Sequence, residues 1–137
     1  MNIFNLFKKK PQVQEPEWIK LYPKEMAELV LNEIRTNPQV CNLDEIPHGV
    51  GEFGLEITNP IPTYGVPTNE IYLKKLCLQN GNKIRWRRDG SVQTISIAKT
   101  IDKYEIFNSD GDTVCFLFIC PYHLKISEKA PRGFKFL

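Results

Sequence analysis

Asn80-Gly81, Asp89-Gly90 and Asp110-Gly111 punctuate the second half of the chain, each set between segments rich in apolar residues. Such dipeptides supply the positive φ that a tight hairpin turn demands, so they constrain the fold more than any other local feature. Leu76–Leu78 and Ile84–Trp86 flank the first, and Val92–Ile97 follows the second. The third, within "SDGD", joins Tyr104–Phe107 to the apolar run Val114–Ile119. Upstream, Phe53, Leu55 and Ile57 alternate with Glu52, Gly54, Glu56 and Thr58, the period of a short half-buried strand. The pattern predicts an antiparallel meander of about five strands.

One helix precedes it. Met26, Leu29, Val30 and Ile34 fall at i, i+3, i+4 and i+8 after Pro23, a residue suited to a first helical turn. Asn37 and Pro38 stop the run, because proline cannot continue the hydrogen-bond ladder. The expected fold class is α+β, with this main N-terminal helix packed on the meander. A length of 137 residues suits one domain, taken as 18–137, with 1–17 as an amphipathic or flexible leader. Within that leader, Ile3, Phe4, Leu6 and Phe7 share one side of a short helix ending at Lys8, Lys9 and Lys10. Two apolar turns are too few for stable anchoring, so docking or fraying is preferred over peripheral membrane contact through residues 1–10. Pro11 to Pro16 reads as a linker.

The formal net charge of +2 points to no nucleic-acid or membrane partner by itself, although it is unevenly spread. Met1–Thr68 carries 6 Lys+Arg against 9 Asp+Glu, and Asn69–Leu137 carries 12 against 7. The chain holds no apolar run of the ~18 to 20 residues a membrane-spanning helix needs. Its start, "MNIFNLFKKK", is a poor secretory signal, so a cytoplasmic location is expected. Cys41, Cys77, Cys115 and Cys120 then read as reduced thiols.

Three groups of residues bear on chemistry. In "KIRWRR", strand alternation puts Ile84 and Trp86 on one face and Arg85 and Arg87 on the other, which separates the ring from the arginines and disfavours base stacking. What remains is a basic row able to meet acidic protein side chains or phosphates. In "CPYHLK", Cys120 and His123 form a thiol-imidazole pair of the kind used in nucleophilic catalysis, without an evident orienting group. Asp44, Glu45 and His48 form a polar cluster that reads as turn chemistry. "GVGEFG" lacks the strand and helix a dinucleotide site needs, and no spacing fits a metal site. Neither a metal nor a cofactor is expected.

From Asn59 to Pro67, "NPIPTYGVP" reads as a rigid extended loop with Tyr64 at its tip. "NPIP", "YL" (Tyr72, Leu73), "WRRDGS", "DKYEIFNSDGD" and "PYHLKISEKAPRGF", in this order, resemble small uncharacterised bacterial proteins over Ile57 to Phe134. The resemblance implies a single bacterial cytosolic domain with the same proline loop, hairpins and lysine-rich tail, and brings no activity. Phe134, Phe136 and Leu137 suggest that this tail docks.

The leading functional reading is a noncatalytic protein-interaction module, an accessory protein or an inhibitor of another protein. Its candidate contact residues are Tyr64, Arg85, Arg87, Lys125 and Lys129. One alternative is a small cysteine-dependent hydrolase or transferase using Cys120 and His123. Another is a weak nucleic-acid binder through the basic sheet face.

Overall fold

A computed structural model describes residue 20, residues 23–36 and residues 42–137. The chain divides into two compact units, Met1–Pro38 and Gln39–Leu137. Residues 1–17, with the expected amphipathic leader and linker, lie outside the described residues, as does Cys41. The first unit holds α1 (Lys24–Thr36), with Glu25 in its first turn and Arg35 in its last, as the helix dipole favours. Leu29, expected on its apolar stripe, is about half exposed.

The second unit holds β1 (Ile61–Pro62), α2 (Val66–Lys74), β2 (Leu76–Leu78), β3 (Arg85–Thr94), β4 (Ile97–Phe107), β5 (Thr113–Cys120) and β6 (Phe134–Phe136). The main sheet has four strands in the order β1-β5-β4-β3, and β2 pairs with β6 in a second, two-stranded sheet. The architecture is mixed α and β with a mostly antiparallel sheet, the β1–β5 pair being parallel.

Cross-strand register sorts the side chains of the main sheet. Trp86, Ile106 and Cys115 form one row, and Arg88, Tyr104 and Leu117 form the next on the same face. That face carries the core, where Ile61, Ile106, Leu117 and Ile119 are fully buried together with Tyr72 and Leu73 of α2. Complete burial of such side chains contributes roughly 1.5–3 kcal/mol each. Arg85 and Arg87 point the other way and are exposed, while Trp86 packs partly buried against the core.

The Asp110-Gly111 turn forms where expected, with Gly111 at φ 86°. The chain also turns at Asn80-Gly81, with Gly81 at φ 89°, but the expected hairpin is reduced to a single bridge between Cys77 and Lys83, because β2 pairs with β6 instead. Asp89-Gly90 does not turn the chain. It forms a bulge within β3, where the register shifts between Arg88 and Gly90, and the hairpin closes instead at Ile95 and Ser96. A β-bulge with glycine at positive φ and a hairpin turn draw on the same residue types, so local sequence does not separate them. Ile95 at the true turn is fully exposed.

Two further expectations are corrected. Phe53, Leu55 and Ile57 lie in successive turns, not a strand, with Gly51 at φ 97° and Gly54 at φ 74°. A Cβ at Gly54 would meet Ile61 at 2.8 Å, so this loop lies directly against the core. The proline segment is not a projecting loop either. Ile61–Pro62 lies along β5, and α2 starts immediately after Gly65 with a proline in its first turn. Asn69, Tyr72 and Leu73, at i, i+3 and i+4, form its buried stripe.

The tail docks through β6. Leu76 and Leu78 pair with Phe136 and Phe134, and the Phe136 ring meets Tyr72 edge-on at 5.8 Å.

Candidate interaction surface

Each residue singled out from sequence has a definite setting. Arg85 stands exposed on the outer face of β3 and makes no ion pair among the described residues. Arg87 pairs with Glu105 directly across the sheet, and its guanidinium lies 5.6 Å from the Phe107 ring centroid. Next along the same face, the Lys103 ammonium reaches Asp89 at 3.3 Å and sits 4.4 Å from the Phe116 centroid. One arginine and one lysine thus lie over half-buried aromatic rings, and of these groups arginine and the aromatics are enriched where proteins meet.

Arg88, one residue on, faces the core side and does different work. Its guanidinium donates to Asp102 Oδ1 at 3.0 Å and to Ser91 Oγ at 2.8 Å. Asp102 is almost fully buried, and its second oxygen accepts from Asn69 Nδ2 at 2.9 Å. Asn69 in turn accepts from Thr63 Oγ1 at 2.6 Å and stands 3.2 Å from the Tyr104 hydroxyl. The buried carboxylate is therefore fully engaged, which is what allows it to sit beneath α2. Its bond to Arg88 holds that guanidinium's pKa above its ordinary value. This network, which joins β3, β4, α2 and the end of β1, was not read from sequence. Its members lie up to 41 positions apart, and none stands out in the sequence on its own.

The remaining candidates are engaged elsewhere. Lys125 Nζ lies 2.9 Å from Asp44, and Lys129 Nζ lies 2.9 Å from Glu45 and 5.1 Å from the Phe53 centroid. Asp44 also accepts from the Glu128 amide at 2.8 Å, and with Lys125 this holds its carboxyl below the usual range. Glu45–Lys129 and Glu52–Arg132 span a cleft of about 630 Å³ between the 45–56 loop and the tail. The tail lysines thus fasten the chain to itself. His48 stands at φ 62° in this loop, a left-handed turn position.

Tyr64 is 37% exposed and bridges Tyr122 in antiparallel fashion, and its amide donates to Thr68 Oγ1 at 2.9 Å. It marks the entry to α2 rather than a loop tip. Cys120 is fully buried and His123 is 8% exposed. The backbone brings both to Thr63, whose amide donates to Cys120 O and whose carbonyl accepts from the His123 amide. Burial, with Lys99 nearby, pushes the imidazole down to about 3, which makes it a weak base. Burial pushes the Cys115 thiol up to about 11. Among the described residues no group of three or more His, Cys, Asp or Glu is placed to hold a metal ion, and no helix is long and apolar enough to cross a membrane.

Comparison with family models, curated proteins and solved structures finds no match.

Proposed function

We propose that this chain is a noncatalytic module that binds another protein through the outer face of its main sheet, with Arg85 and Arg87 as contacts. The observation that carries the reading is the arrangement on that face: Arg85 exposed without an ion-pair partner, beside cations resting on Phe107 and Phe116. Arginine and aromatic side chains are the groups that most often dominate binding energy at interfaces. Lys125 and Lys129 belong to the tail, where they pair with Asp44 and Glu45 and not on this sheet face, and drop out of the contact set. Acting as an accessory protein or an inhibitor, in a bacterial cytoplasm, fits a module of this size and belongs to the same proposal. The cysteine-dependent alternative gains no support from Cys120 and His123, which are both buried.

The test is affinity capture from lysate of the source cells with the wild-type chain and with Arg85→Ala combined with Arg87→Ala. One stoichiometric protein bound by the wild type and lost from the double variant is expected. An unchanged set of bound proteins with the folded variant would show that this face is not the contact.

A further inference from the structure

We infer that the partner is engaged by strand addition: an extended acidic segment pairs with the free edge of β3 over Arg85–Arg88. This rests on the reading just given and specifies the partner's chemistry and its mode of contact. β3 is the outermost strand of the main sheet, and among the described residues its backbone bonds only to β4. An edge of this kind presents alternating amides and carbonyls ready to pair with another extended chain.

Two features narrow what fits. The bulge at Asp89 breaks the regular ladder, which confines uninterrupted pairing to Arg85–Arg88, with a second irregularity between Val92 and Thr94. Within that stretch three of four side chains are arginines: Arg85 and Arg87 on the outer face, about 7 Å apart at two residues' rise, and Arg88 on the other. An incoming strand also repeats every second residue, so carboxylates at i and i+2 would meet Arg85 and Arg87 together. A second copy of this chain is selected against. Antiparallel self-pairing keeps the outer faces of the two copies together, so it sets Arg85 opposite Arg87 of the other copy, or Arg87 opposite itself in the neighbouring register, placing like charges side by side. The arginines thus admit an acidic strand and refuse their own.

The probe is a short capped peptide alternating glutamate and valine, titrated into the full chain, with a lysine-valine peptide and an N-methylated glutamate-valine peptide as controls. Anisotropy of a labelled peptide measures affinity, and backbone amide shifts at Arg85–Arg88 report the contact. Specific binding of the glutamate peptide is expected, weakened at least tenfold by Arg85→Glu with Arg87→Glu and at least tenfold by N-methylation of the peptide. Equal binding of the N-methylated peptide would overturn strand addition while leaving the sheet-face reading standing. No preference for glutamate over lysine, or shifts confined to other strands, would overturn it as well. Because the N-methyl comparison uses the unmodified protein, it decides the matter even if the double variant does not fold.

Discussion

At one edge of the main sheet β1 is two residues long, and at the other β3 runs for ten. Just after β1 the Thr63 amide turns toward β5, so the Pro62 carbonyl points outward, where the Ser127 amide takes it at 3.0 Å. Pro62 has no amide hydrogen to leave unpaired, and the edge is closed. β3 has no such cover among the described residues and is managed by charge and a bulge instead. A buried edge must satisfy every backbone group, whereas an exposed one need only discourage the wrong neighbour. The closed edge therefore serves stability, and the open one is left available for the strand pairing proposed above.

That contrast makes the two edges respond differently to change. The largest effect is expected at the closed edge: Ile61→Ala should cost about 2–5 kcal/mol by urea denaturation, because a fully buried side chain leaves a cavity against the core. A loss below about 1 kcal/mol there would remove the distinction. Acid should act on the same side. The folded chain holds His123 near 3, whereas the unfolded chain takes its proton near 6.5, so the unfolded state binds more protons between those values. Stability should fall as pH drops from about 6.5 toward 3, on the order of a few kcal/mol, and His123→Gln should flatten that decline. Asp44, whose pKa is lowered, adds a loss of the same sign at the acid end that the variant retains.

Between the edges, Asp102→Ala should cost about 1–3 kcal/mol, because Asn69 loses a buried acceptor while half-exposed Arg88 can turn to water. Ser127→Ala removes the hydroxyl bond to the Asp44 carbonyl and should cost about 1 kcal/mol, a measure of how firmly the seal is held. Arg85→Ala should change the denaturation midpoint least, within about 0.5 kcal/mol, while altering peptide binding.

Sequence made the open side more legible than the closed one. Alternation correctly placed Arg85 and Arg87 on an exposed face, because period 2 survives without reference to the rest of the fold. The 110–111 turn was equally local. The closed side depends on partners far along the chain: Pro62 pairs beside Cys120, and Asn69 meets Asp102. Three prolines and a glycine in Asn59–Pro67 also masked α2, since proline in a first helical turn and proline in a loop look alike until the buried stripe after it is known. Phe53, Leu55 and Ile57 misled for the converse reason, as alternation within a glycine-rich turn region mimics a strand.

The parallel pairing of Ile61 with Ile119 sets an order of events during synthesis. β3, β4 and β5 emerge consecutively and can form their antiparallel ladder as soon as each hairpin is complete. β1, made first, must wait for the last residues of β5, and β2 must wait for β6. A nascent chain paused after β4 would hold β1 without its mate and β4 without its inner neighbour, the interval in which a chaperone has most to shield.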